Sequence, residues 1–243
     1  MAEHHPHTHK HDAQHGHGHD YAAANKQYFD ENIDMFERPD IVDATQRIAA
    51  AMRERYASAF NAESTTVLDY ACGAGTAVSS ATWSSSCVKS IFGVDISQGV
   101  VDQYNLLASK HELSDKLKAS CVELKADGRI GNSTKQFDIV LCTMAYHHFG
   151  NPEDVTKILA SFVKPGASLL VVDILAISNK ADVVLGDKHR DTVPHQGGFG
   201  EDRMKDMVTA AGLVDFEMGG LISGLVIDGH AVTPFLARGV KPL

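Results

Sequence analysis

An α/β domain, with a mostly parallel sheet and helices on both faces, is predicted by three features of the 243-residue sequence. Continuous apolar runs such as residues 137–142 and 168–172 lack the alternation of a half-solvated strand and read as strands buried on both faces. Stretches of helical apolar spacing separate them, so strand and helix alternate along the chain. Residues 67–76, Val-Leu-Asp-Tyr-Ala-Cys-Gly-Ala-Gly-Thr, lead from a strand into a turn whose two glycines let the backbone come close to a bulky ligand.

Taken in order, residues 1–24 form a His-rich tail in which His4, His5, His7, His9, His11, His15, His17 and His19 are mixed with small and polar residues. Nothing there can bury a core, so the segment is expected to be disordered, with the folded domain running from 25 to 243. A short helix carries Tyr28, Phe29 and Phe36. Pro39 then opens a helix over about 40–60, in which Ile41, Ile48, Met52 and Tyr56 recur at helical spacing. The first strand spans about 65–70, and a Ser/Thr-rich helix follows at about 75–84, held by packing rather than propensity.

The second strand covers about 88–95, and Val100, Tyr104 and Leu107 turn its helix towards the sheet. A third strand is expected at about 117–124, then a polar loop with Gly128 and Gly131. The fourth runs over 137–143. A helix after Pro152 carries Val155, Ile158, Leu159 and Phe162, and Gly166 permits the turn into a fifth strand at 168–175. Residues 176–198 show no periodicity. A helix at about 201–211 and strands at about 213–222 and 231–238 complete the domain, and no internal repeat is present.

A Gly-x-Gly after a strand also occurs in dinucleotide-binding folds, where an acid about 20 residues on holds the ribose. Asp95 meets that spacing, but the third glycine of that fingerprint would fall at Val78 and is absent. The residues resemble the class I S-adenosylmethionine-dependent methyltransferases, of the small-molecule type seen in ubiquinone biosynthesis and fungal metabolism. Four stretches carry the resemblance in family order: residues 67–76, 93–97, 137–142 running into 145–149, and 163–173. It implies a Rossmann-like, seven-stranded sheet whose last strand is antiparallel, formed by a hairpin of strands six and seven.

The resemblance further implies S-adenosyl-L-methionine as cofactor. Asp69, Gly73 and Gly75 would line its amino-acid end, and Asp95, with Ile96 after it, would accept the ribose hydroxyls. A strand-end turn would explain the first three without a ligand, and an N-cap would explain Asp95, although Ser97 is available to cap that helix. The adenine would meet Glu123 and Leu124, with Asp127 as a rival. Tyr28 and Phe29 would cover the cofactor or simply pack in the core.

His147 and His148 follow the fourth strand, where an imidazole could take or orient a proton of the acceptor. Alternatively, one packs under the cofactor while the other points to water. His195, in the segment before Gly197 and Gly198, is the third candidate. Asp187, His189, Asp191 and His195 could together bind a divalent ion, but their spacing matches no recurrent site, and a substrate lid is the preferred reading, with no metal in the active site. The tail histidines could capture zinc, nickel or copper.

A net charge of −9 and a pI of about 5.8, with no Lys/Arg cluster, argue against nucleic acid as a partner. Cys72, Cys87, Cys121 and Cys142 have no metal-site or disulfide spacing and read as reduced, buried thiols. No apolar run approaches a membrane span and the N-terminus is polar, so a cytoplasmic protein is expected. The expected activity is methyl transfer to a small organic acceptor at O, N, S or C. The alternatives are transfer to a protein side chain, or a non-catalytic cofactor-binding or metal-sensing protein using the His-rich tail.

Overall fold

In chain order, the elements that carry the site are α1 (Tyr21–Glu31), a 3-10 turn (Ile33–Glu37), α2 (Pro39–Arg55), β1 (Thr66–Tyr70), β2 (Ser90–Asp95) and α3 (Gln98–Lys110). They continue with β3 (Leu117–Cys121), the small strands β4 (Arg129–Ile130) and β5 (Ser133–Thr134), β6 (Phe137–Thr143), a 3-10 turn (Tyr146–His148) and α4 (Pro152–Ser161). Then come β7 (Val163–Ile174), α5 (Glu201–Ala210), β8 (Val214–Gly220), β9 (Leu225–Ile227), β10 (His230–Val232) and β11 (Pro234–Val240). The computed structural model describes residues 19–75, 87–176, 189–227 and 229–243.

Seven strands form one sheet in the order β3-β2-β1-β6-β7-β11-β8. β3, β2, β1, β6 and β7 are parallel, and β11 enters antiparallel between β7 and β8. This is the sheet expected from the sequence, antiparallel last strand included.

Each central strand is buried on both faces, which is why its sequence is continuously apolar. Val67, Ile139 and Leu141 join Ile48, Met52, Val101 and Tyr104 in one core layer, under α2 and α3. Leu68, Val140 and Cys142 join Leu159, Phe162, Met204 and Val208 in the other, under α4 and α5. Successive strand side chains point to opposite faces, so one run fills two cores.

The helix starts follow their caps. Asp20 accepts from Ala23 N at 3.0 Å, Ser97 from Val100 N at 3.2 Å and Asn151 from Asp154 N at 3.1 Å, while Pro39 and Pro152 occupy first-turn positions whose N–H would be unpaired anyway.

Several boundaries differ from expectation. α1 begins at Tyr21, inside the segment read as tail, because Asp20 caps it and Tyr21 packs against Gly150. α2 ends at Arg55, and residues 57–59 make a separate 3-10 turn. β3 stops at Cys121, and this edge position leaves the Cys121 thiol exposed rather than buried. β7 starts earlier than predicted, at Val163; its register against β6 shifts between Phe137 and Ile139, and Gly166 lies between with φ of +77°. The hairpin β9–β10, lying between strands six and seven in the chain, was not anticipated. The Ser/Thr-rich helix expected at 75–84, most of the His-rich tail and Asp187 lie outside the described residues.

Candidate active site

The C-terminal ends of β1, β2, β6 and β7 lie side by side, because Tyr70 pairs with Val94 and with Cys142, and Thr143 pairs with Val172. In open parallel sheets this edge is where ligands bind. The predicted residues gather there in two groups.

The first group surrounds the glycine turn after β1. Gly73 and Gly75 adopt φ of +54° and +75°, conformations that a side chain would strain. A Cβ on Gly73 would also lie 2.8 Å from the Phe36 ring, and one on Gly75 2.6 Å from Tyr104. Asp95 Oδ2 accepts from Gly73 N at 3.1 Å and its Oδ1 from Ser97 N at 3.0 Å, so the carboxylate braces the turn. Ser97, not Asp95, caps α3.

Asp69 is 4% exposed, and no hydrogen-bond donor or cation among the described residues meets its carboxylate. Burial, with the Asp95 charge adding to it, pushes its pKa up to about 7. Burial likewise raises Asp95, against the backbone donors that lower it. Among the described residues, the site is therefore short of positive charge. A ligand with a cationic end and vicinal hydroxyls suits it, and the residues fit S-adenosylmethionine on those grounds.

Around this group, Ile96 is partly buried and its carbonyl accepts from Cys121 Sγ at 3.4 Å. Glu123 is exposed, Leu124 is buried in the core beside Val94 and Val140, and Asp127 turns its own loop by accepting from Arg129 N at 2.9 Å. Tyr28 stands edge-on to Phe29 at 5.4 Å and to His189 at 6.4 Å, between α1 and the 189–199 segment.

The second group lies at β6 and β7. His147 is 6% exposed, and its Nδ1 lies 2.9 and 3.0 Å from the two oxygens of Asp173, which is fully buried. Asp173 also accepts from His147 N at 3.3 Å and from Ile174 N at 2.7 Å. The His148 ring sits 4.2 Å from that of His147, with Nδ1 2.9 Å from the Thr192 carbonyl. Burial first, and then His147, lower its pKa to about 3, so it stays neutral. Neither histidine points freely to water, contrary to one expectation, because residues 189–199 and α1 fold over them.

His195 N donates to the His147 carbonyl at 3.3 Å, which brings the third histidine to the same place. Its Nδ1 lies 3.3 Å from an Arg203 nitrogen, and Arg203 is held by Glu153 at 2.9 Å. Burial and the Arg203 charge lower the His195 pKa. Among the described residues, no group of three or more His, Cys, Asp or Glu side chains is placed to hold a metal, and no helix is long and apolar enough to cross a membrane.

Sequence reasoning missed three residues. Asp173 was signalled only as an acid ending a buried strand. Asp30 of α1 accepts from Ser97 Oγ at 2.5 Å and ties α1 to the start of α3. Asn25, 5% exposed, donates through Nδ2 to the carbonyls of Tyr21, His148 and Thr192 at 2.8, 3.2 and 2.9 Å, joining α1 to both the 3-10 turn and the 189–199 segment. Nothing in a lone helical Asn announces that.

Residues 37–217 match the family model for a methyltransferase domain. The chain belongs to the methyltransferase-domain family. An uncharacterized methyltransferase of Schizosaccharomyces pombe is 34% identical over 161 residues, 63% of this chain and 54% of its relative, so the match spans about half the length of that protein. Among solved structures, the YcgJ protein of Bacillus subtilis superposes with a TM-score of 0.59 at 18% identity, covering 79% of this chain and 98% of that one. Phosphoethanolamine N-methyltransferase 2 of Haemonchus contortus, solved with phosphomonomethylethanolamine and S-adenosylhomocysteine, gives 0.62 at 15% identity over 92% and 60%. The sheet is thus that of the class I methyltransferases, with the glycine turn, Asp95 and the His147 pair at its C-terminal edge.

Proposed function

We propose that this methyltransferase-family chain transfers the methyl group of S-adenosylmethionine to a small organic acceptor in the cytoplasm. The observation that carries the reading is a buried carboxylate, Asp69, next to a partly buried one, Asp95, beside a positive-φ glycine turn at adjacent strand ends. Asp69 would face the cationic amino-acid end of the cofactor and Asp95 its ribose, with Gly73, Gly75, Ile96, Glu123, Leu124 and Tyr28 around them. The Haemonchus enzyme of the same fold is described with S-adenosylhomocysteine bound, which supports this cofactor.

The cofactor supplies an electrophilic methyl on a positive sulfur. The protein then has to align the acceptor, exclude water and handle a proton. α1 and residues 189–199 cover His147 and His148 through Asn25, and such a covered mouth favours a small acceptor over a protein side chain. His147, His148 and His195 are the candidates for the acceptor's proton.

Calorimetry on the full chain tests the cofactor. S-adenosylhomocysteine is expected to bind with a micromolar Kd, and Asp95→Ala to lose about 1.5–3 kcal/mol as its charge-assisted hydrogen bonds go. No heat with the wild type, or equal affinity in the variant, defeats the assignment.

A further inference from the structure

The three histidines at the mouth are not equivalent, because each ring nitrogen that makes a hydrogen bond faces a partner of fixed sense. A carboxylate and a carbonyl only accept, and a guanidinium only donates. His147 Nδ1 faces the Asp173 carboxylate, so it carries the proton and Nε2 keeps the lone pair. His148 Nδ1 likewise donates to the Thr192 carbonyl. His195 Nδ1 must accept from Arg203, so its proton sits on Nε2 and that nitrogen has no lone pair to offer.

A base must also tolerate the charge it acquires. His148 has no carboxylate partner, and burial opposes its protonation. His195 has Arg203 against it. The His147 ring alone lies against a carboxylate, and that carboxylate is fixed by the two backbone donors, His147 N and Ile174 N.

We propose that His147 Nε2 is the proton acceptor of this site, that Asp173 is the residue positioning it, and that the acceptor is therefore a protic one, a phenolic or enolic hydroxyl. This rests on the methyl-transfer reading above. The O–H bond breaks and the proton goes to His147 Nε2. The oxygen electron pair forms the O–CH3 bond as the S–CH3 bond breaks, and that bond's pair stays on sulfur as the neutral thioether. An imidazole base suits an acidic hydroxyl, phenolic or enolic, and not an aliphatic alcohol, whose proton it is too weak to take. A thioether or tertiary amine has no proton to lose and would need no such pair.

Two measurements test this. Nitrogen-15 NMR of the histidine rings, in the full chain with S-adenosylhomocysteine, should show His147 as the Nδ1–H tautomer and His195 as the Nε2–H tautomer. Asp173→Asn, whose amide can donate, should shift His147 towards Nε2–H while S-adenosylhomocysteine affinity stays within about threefold. A His147 found as Nε2–H in the wild type overturns the proposal whether or not the variant folds. The second measurement incubates the enzyme and methyl-labelled S-adenosylmethionine with small-molecule extract of cells lacking the gene. The label is expected on a former hydroxyl oxygen, with His147→Ala slowing transfer by about 10²–10⁴. Label on sulfur, carbon or any nitrogen overturns the proposal and leaves the methyl-transfer reading standing. No labelled product, with S-adenosylhomocysteine still bound, defeats the catalytic reading beneath it.

Discussion

The two halves of the mouth are built differently. At β1 and β2 the site is a backbone turn plus two acids, and its key bond, Gly73 N to Asp95, spans 22 residues between adjacent strands. At β6 and β7 it is made of side chains drawn from across the chain: Asn25 reaches His148 over 123 residues and Thr192 over 167. The first half is under-compensated, with Asp69 buried and no described donor or cation against it, whereas His147 and Asp173 satisfy each other. One half holds a buried acid without a counter-charge among the described residues, and the other a closed histidine–carboxylate pair.

The largest expected effect comes from Asp69→Asn, which acts only on the first half. The folded chain holds a proton on Asp69 between the ordinary 3.8 and about 7 that the unfolded chain has already lost. Stability without cofactor therefore falls as pH rises through that window and levels off above it. The variant should be more stable than wild type above pH 7 by about 2–4 kcal/mol, raising Tm by about 5–10 °C, with little difference below pH 4. A Tm gain of the same size at both pH values, read by calorimetry, would remove the contrast between the halves.

Asn25→Leu probes the second half. Losing the bonds that join α1, the 3-10 turn and residues 189–199 should cost about 1–3 kcal/mol. Hydrogen exchange should rise at residues 21–31 and 189–199, while the glycine turn stays as protected as before. Equal loosening at both halves would mean that the mouth opens as one unit.

The smallest effect is expected from deleting residues 1–18, a cut that keeps the Asp20 cap and His19, whose Nε2 lies 2.7 Å from the Asp191 carbonyl. Tm and methyl transfer should both persist, because the sequence of residues 1–18 is polar and His-rich and the described core begins at Ala44. Zinc or nickel uptake, if the histidines bind metal, should disappear and in the wild type weaken below about pH 6. A large loss of activity on deletion would make the tail part of the cover.

What could be read in advance follows the same division. Continuous apolar runs gave β1, β2, β6 and most of β7, because burial on both faces leaves its mark in local sequence. Gly73, Gly75 and Asp95 were readable because the turn and the next strand end are close along the chain. Asp173 and Asn25 were not. Their meaning depends on the β6–β7 register, Thr143 beside Val172, and on α1 folding back across the mouth, and no local spacing encodes either. The choice among His147, His148 and His195 needed the partner atom of each ring.

One feature of the sheet reaches beyond the site. β11 pairs with β7 from Pro234 to Val240 and with β8 on its other side, so it is a wedge between two earlier strands rather than an edge added at the end. On a ribosome, β8 has no place to dock until residues 234–240 have emerged, and β7 offers an open edge for all that time. A nascent chain stalled short of residue 234 should thus be the form that chaperones hold and proteases remove. Emergence of β11 then closes the sheet in a single step.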